Sequence, residues 1–261
     1  MIGHLSAEWT TTRETLQAYA QALTAFPRAG ASADPRWAHV AMEPVDDGFA
    51  ATPVELADGS LLTSRLDLAA HRIVIAIDGR ERSHNMTLGP SSRSIGEEIL
   101  ELAASHGSLV DVDRSRFGDP GSRTYEREQA EAFHRAAKAV VEAMVDLNRS
   151  VAGEVAGPHL WPHGFDIATE WYSPVLFDHE DGRANAQVAA GWYPSDASYV
   201  YVNPWPFQGE WAEFGLPHGA TWHLDGWQGA ELPVPEEGLA PAALVDLARA
   251  VHDLAGGSFG R

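Results

Sequence analysis

The 261-residue sequence contains no cysteine and only one lysine, Lys138. Without cysteine the chain has no disulfide bonds, no thiol nucleophile and no thiolate metal ligand. It also has no run of about 18 apolar residues, the length that a transmembrane helix needs. Residues 1–20 lack the apolar core of a signal peptide. These absences predict a cytoplasmic protein.

Basic side chains are scarce throughout, since 18 Lys and Arg stand against 37 Asp and Glu, a formal net charge of −19. Residues 150–261 are the more acidic part, with three arginines and fifteen acidic residues. Nucleic acids and anionic membranes are both bound through basic surfaces. We therefore expect a small-molecule ligand and neither a nucleic-acid nor a membrane partner, while the oligomeric state remains open.

Common catalytic motifs are missing as well. The sequence has no Gly-rich phosphate loop ending in Gly-Lys-Ser/Thr, no Gly-x-Gly-x-x-Gly and no His-Glu-x-x-His. These absences argue against the common nucleotide-binding and zinc-protease functions. The sequence indicates no particular cofactor.

Four segments carry apolar residues three or four positions apart, the spacing of amphipathic helices. They are residues 12–26, with Pro27 as the expected stop, residues 94–107, with Ser94 and Glu97 as a capping box, residues 126–151 and residues 244–254. Between them lie β-rich segments. The predicted strands are 37–42, 49–56, 60–68, 72–77, 82–88, 109–112, 160–172, 187–192, 199–203 and 221–232.

The order of these elements predicts the fold class. Asp58-Gly59 and Asp78-Gly79 are hairpin signals, because both positions of such a turn tolerate positive φ. Segregated antiparallel strands flanked by helices are typical of an α+β protein. The order helix, strands, helix occurs twice. We expect a single integrated unit over residues 1–261, with two similar halves, 1–113 and 124–261, joined by residues 114–123.

Aromatic residues are concentrated in the second half, where seven of the nine tryptophans lie between Trp161 and Trp227. Side chains two apart on a strand share a face. Parity groups Trp161, His163 and Phe165 on one predicted strand, Tyr199, Tyr201, Asn203 and Trp205 on the next, and His223, Asp225 and Trp227 on the last. Aromatic area with a few polar groups is typical of a ligand pocket, and is also compatible with a thick aromatic core.

The histidines and aspartates of these segments are suited to catalysis. His163 or His223 is a candidate general acid or base, and Asp166 or Asp225 would then fix its tautomer. A second hypothesis is a metal site at His163, Asp166 and His223, with His159 nearby; it needs a bend at Pro162-His163-Gly164, since residues three apart on a strand face oppositely. A third is a non-catalytic interaction module with a Trp-rich docking face.

Three motifs resemble a bacterial family catalogued as domain of unknown function 5996. They are the segment 160–166 around Trp161-Pro162-His163, the segment 199–206 that begins Tyr-Val-Tyr, and the segment 223–230, which reads His-Leu-Asp-Gly-Trp-Gln-Gly-Ala. Many members of that family have a histidine where Gly164 stands here and another where Gln17 stands, and these departures weaken the metal hypothesis. The resemblance implies an architecture that covers most of the chain, and it implies no reaction.

Overall fold

The computed structural model describes residues 1–179 and 182–259. They contain four α-helices and twelve antiparallel β-strands, which confirms the predicted α+β class. The chain forms two compact units. The N-terminal unit comprises residues 6–134 and 159–165, and the C-terminal unit comprises residues 1–5, 135–158 and the chain from Asp166 onward. The predicted integration into one unit, with halves 1–113 and 124–261, stays a prediction.

The N-terminal unit is a meander of antiparallel strands, with one helix before the strands and two helices after them in the sequence. In chain order it contains α1 (Trp9–Gly30), β1 (Met42–Val45), β2 (Gly48–Ala51), β3 (Val54–Glu55), β4 (Leu61–Asp67), β5 (Arg72–Ile77), β6 (Arg80–Asn85), α2 (Ser92–Ser105) and the start of α3 (Arg127–Ser150). Strand order is β1-β2-β4-β5-β6, and β3 pairs with β4. Helix α1 packs on α2 and contacts β2 and β4.

The first helix does not stop at Pro27, as the sequence predicts, and continues to Gly30. A proline has no N–H to donate to the carbonyl four residues earlier, which here belongs to Leu23. The Ser64 hydroxyl of β4 donates to that Leu23 oxygen at 3.4 Å. A tertiary contact therefore supplies a donor at the carbonyl that the proline leaves unmatched.

Both predicted hairpin turns are confirmed. Asp78 and Gly79 have φ of 48° and 77° between β5 and β6, and Asp58-Gly59 connects β3 to β4. Several other boundaries were wrong. Residues 38–40, within the predicted strand 37–42, form a 3-10 turn, and residues 109–112 form no strand. The predicted strand 49–56 is divided into β2 and β3, and the predicted strand 82–88 ends at Asn85. Helix α2 is capped by Ser91 and not by Ser94, because the Ser91 Oγ accepts the Ser94 N–H.

The C-terminal unit contains longer strands. They are β7 (Glu154–Trp161, of which residues 159–161 belong to the N-terminal unit), β8 (Asp166–His179), β9 (Gly182–Tyr193), β10 (Tyr199–Trp205), β11 (Thr221–His223) and β12 (Gly229–Pro233), followed by α4 (Pro241–Gly256). The order is β11-β12-β10-β9-β8-β7. Helix α4 packs on β9 and β10, and Val200 and Val202 of β10 are buried.

Two segments predicted as single strands are each two strands with a turn between them. Residues 162–165 form a turn between β7 and β8, and residues 224–228 connect β11 to β12. No helix in the described part of the chain combines the length and the apolar character needed to cross a membrane.

Candidate functional site

Strand β10 presents two chemically different faces, as parity predicts. Val200, Val202 and Pro204 are buried, whereas the intervening side chains are half-buried. Those intervening residues are Tyr199, Tyr201, Asn203 and Trp205. Across the ladder to β9, Tyr199 lies opposite Tyr193 and Tyr201 lies opposite Gly191. The half-buried face of β10 therefore continues onto β9.

The Tyr201 side chain lies across β9 at Gly191. A Cβ at position 191 would lie 2.2–2.4 Å from the outer atoms of the Tyr201 ring, so any side chain there would collide with it. The Tyr201 hydroxyl donates to Asp166 Oδ2 on β8 at 2.5 Å. The missing side chain of Gly191 thus leaves the space through which Tyr201 reaches Asp166.

The Tyr201 phenol stays protonated in this environment. Burial raises its pKa well above the ordinary value of 10, and the neighbouring carboxyl groups of Asp166 and Glu170 raise the pKa further. A phenol with a raised pKa remains a hydrogen-bond donor at neutral pH. The structure therefore places a fixed donor and two acidic side chains on one face of the sheet.

His223 and Trp227 come together through the β11–β12 turn. Their rings are stacked, with centroids 4.4 Å apart and planes at 10°. The Trp227 ring is nearly parallel to Tyr199, at 6.5 Å, and meets Tyr201 edge-on at 6.1 Å. Tyr193 extends the cluster, with its ring centroid 5.3 Å from that of Tyr199. We call these five residues the aromatic face.

The predicted common strand face of His223, Asp225 and Trp227 was wrong, because the strand ends at His223. Asp225 lies exposed in the turn. His223 and Trp227 are nevertheless in contact, because the turn places the Trp227 ring against the His223 ring. The two rings are therefore brought together by the turn at residues 224–228 and not by alternation along a strand.

The turn also fixes the tautomer of His223. Its Nδ1 lies 2.9 Å from the Trp227 carbonyl oxygen, which can only accept a hydrogen bond. The proton of neutral His223 must therefore sit on Nδ1, and the Nε2 atom carries the lone pair. His223 can accept a proton at Nε2 without breaking its contact with the backbone.

His163 lies in the turn that follows β7, in the N-terminal unit. Three side chains one turn apart on α1 donate to successive carbonyls of this turn: Arg13 to residue 164 at 2.6 Å, Gln17 to residue 163 at 2.7 Å and Gln21 to residue 162 at 3.2 Å. The His163 side chain itself is exposed. The bend that the metal hypothesis requires is present, and hydrogen bonds from α1 hold its backbone.

The bend removes the predicted common face of Trp161, His163 and Phe165. Phe165 has φ of 56° and its N–H donates to the Trp161 carbonyl at 2.7 Å, which closes the turn. The Phe165 ring is fully buried against Phe133, at 5.3 Å between centroids, whereas Trp161 is half-buried. Phe165 is therefore a core residue of the N-terminal unit.

Sequence reasoning missed three members of the site: Gly191, Tyr193 and Glu170. Glu170 is four residues beyond Asp166 on β8 and shares its parity, so strand periodicity was a usable signal for it. The other two depend on the β9–β10 register. Among the residues described, no three His, Asp or Glu side chains are grouped closely enough to hold a metal ion. The roles assigned to His163, Asp166 and His223 stay predictions.

His159 is a buried histidine that makes the stability of the fold depend on pH. Burial lowers its pKa, and the negative charges of Glu43 and Asp34 oppose that shift. The unfolded chain therefore takes up a proton on His159 at a higher pH than the folded chain, and stability falls as pH drops below about 6.5. When the pH is lowered from about 7.5 to about 5.5, the free energy of unfolding should decrease less for His159→Gln than for the parent. Denaturant melts at the two pH values measure this difference. Exposed His4→Gln is the control, and an equal slope for parent and His159→Gln would contradict the assignment.

A family model described as a family of unknown function, DUF5996, matches residues 5–226. The match includes the turn at His163, all of β10 and His223, and it ends one residue before Trp227. No curated protein and no solved structure matches the chain.

Proposed function

Because the chain belongs to the family of unknown function DUF5996, whose description assigns no reaction, we propose a function from its geometry. The C-terminal unit binds a small, flat organic cation against the aromatic face. The observation that supports this proposal is the parallel arrangement of the His223, Trp227 and Tyr199 rings, with Tyr201 edge-on to Trp227. Rings held in parallel by a sheet and a turn offer a flat, preformed surface to a flat ligand.

Charge favours a cation over an anion. The carboxyl groups of Asp166 and Glu170 both act on Tyr201, the central residue of β10 in this cluster. Strand β10 and the turn at 224–228 contain no Lys or Arg. The face of an aromatic ring is electron-rich and attracts cations, and nearby carboxylates add to that attraction.

If the ligand is also a substrate, His223 is the residue that we propose for proton exchange. Its Nε2 carries the lone pair while Nδ1 is held by the backbone. Asp166 already accepts the Tyr201 hydroxyl, which suits it to a positioning role. His163 belongs to the other unit and stays a candidate from sequence alone.

The degree of exposure favours a ligand over a docking face for a protein partner. Of the seven tryptophans between Trp161 and Trp227, three are buried and four are half-buried, and none is highly exposed. Protein docking through tryptophan requires an accessible apolar patch. The aromatic face instead consists of half-buried rings that pack on one another.

We expect N-methylpyridinium to bind saturably, and toluene, which has nearly the same shape without the charge, to bind more weakly. Trp227→Ala should weaken binding of N-methylpyridinium about tenfold, because a desolvated cation–π contact contributes up to about 2 kcal/mol. The measurement is a titration followed by protein NMR. Trp222→Ala is the matched control, since that half-buried ring packs against Phe207 and is outside the aromatic face. Equal binding of toluene, or an equal loss in both variants, would refute the proposal.

A further inference from the structure

The C-terminal unit contains a cavity that lies outside the aromatic face. It has a volume of about 580 Å³ and is formed by residues 150–153 after α3, by β8 around Trp171 and Tyr172, and by α4 at Arg249, His252 and Asp253. This volume falls within the range of about 300–1,000 Å³ typical of small-molecule sites. The cavity shares no residue with the aromatic face.

The inner wall is aromatic and rigid. Trp171 is buried, and its indole N–H donates to the Ala152 carbonyl at 2.7 Å. The His252 ring packs edge-on against Trp171, with centroids 4.5 Å apart. The indole is thus tied to the loop after α3 and held by α4, so the wall is formed before any ligand arrives.

The rim carries an arginine, Arg249, that has no partner among the residues that the structure describes. Within the described part of the chain Arg249 forms no ion pair and no hydrogen bond, whereas Arg183, the other described arginine after residue 150, lies 3.7 Å from Asp178. One carboxylate also lines the cavity, that of Asp253, and its Oδ1 lies 3.6 Å from His252 Nδ1. An unpaired guanidinium at the edge of an aromatic wall, in a region with three arginines against fifteen acidic residues, is suited to a ligand carboxylate.

We propose that this cavity binds a small organic anion with a flat apolar body and a carboxylate. The body packs against Trp171, and the carboxylate pairs with Arg249. A guanidinium can donate two parallel hydrogen bonds to a carboxylate. This pairing selects a negatively charged ligand and also fixes the orientation of its carboxylate. The negative charge of Asp253 repels an anionic group placed near it. The ligand must therefore place its carboxylate at Arg249.

The test uses 2-naphthoate and its neutral analogue 2-naphthamide, titrated into the full chain and followed by calorimetry. We expect 2-naphthoate to bind at least about tenfold more tightly than 2-naphthamide, and Arg249→Gln to remove that difference. Arg249 is exposed, so this variant should keep the parent fold. Arg183→Gln is the matched control for a general loss of positive charge and should bind like the parent.

Two further arms separate this site from the aromatic face. Trp227→Ala should leave 2-naphthoate binding unchanged, and Arg249→Gln should leave N-methylpyridinium binding unchanged. Asp253→Asn should strengthen 2-naphthoate binding by removing a like charge. The proposal is overturned if 2-naphthoate shows no saturable binding up to about 10 mM, or if Arg249→Gln binds it as tightly as the parent.

Discussion

Gly191→Ala is expected to lower the free energy of unfolding by about 1–3 kcal/mol, because inserting a methyl group into a filled space displaces its neighbours. The displaced neighbour is the Tyr201 ring, whose outer atoms lie 2.2–2.4 Å from the position of the new Cβ. The ring must swing away from β9, and its hydroxyl then leaves Asp166. Denaturant melts report the stability change. A spectroscopic titration should also show one more tyrosine ionising near pH 10, the usual value for a phenol.

A double-mutant cycle tests whether the Tyr201 ring is the cause. In a Tyr201→Ala background, the Gly191→Ala substitution should cost much less, since the space that the methyl group needs is then empty. Gly209→Ala is the matched control, because a Cβ there meets nothing within 4 Å. A cost for Gly191→Ala that is unchanged when Tyr201 is truncated would show that backbone strain, and not the ring, limits this position.

The aromatic face shows what strand periodicity can predict and where it stops. Alternation alone separated Tyr199 and Tyr201 from Val200 and Val202, because side chains on a regular strand must alternate between faces. The contact of Tyr201 with Asp166 depends on the register among β8, β9 and β10, and on Gly191 in the middle strand. Register is a property of the assembled sheet, so no single strand encodes it.

Turns inside predicted strands, at residues 162–165 and 224–228, caused two of the other errors. Phe165 adopts φ of 56°, a conformation that is unusual for an aromatic residue, and here a fully buried ring and hydrogen bonds from α1 accompany it. The same kind of tertiary support extends α1 past Pro27. Local propensity predicts the element type in each case, and contacts distant in sequence decide where the element ends.

The second large effect is expected for Trp192→Ala, which should lower the free energy of unfolding by about 3–5 kcal/mol. Trp192 is fully buried, and its indole N–H donates to the buried Ser198 hydroxyl at 2.7 Å. Truncation leaves a large cavity and removes the donor from Ser198. Trp227→Ala deletes the same number of atoms from a half-buried ring, so less apolar area is lost and the destabilisation should be smaller.

The two tryptophan variants together test which face is the core and which is the ligand surface. We expect Trp227→Ala to melt closer to the parent and to lose N-methylpyridinium binding, because Trp227 stacks with His223 and Tyr199 on the half-buried face. Trp192→Phe should recover most of the stability lost in Trp192→Ala, since a phenyl ring refills much of the cavity, and it should bind the probe like the parent. If Trp227→Ala unfolds the protein while Trp192→Ala melts like the parent, the half-buried rings are the structural core. The proposal of a ligand site there would then fail.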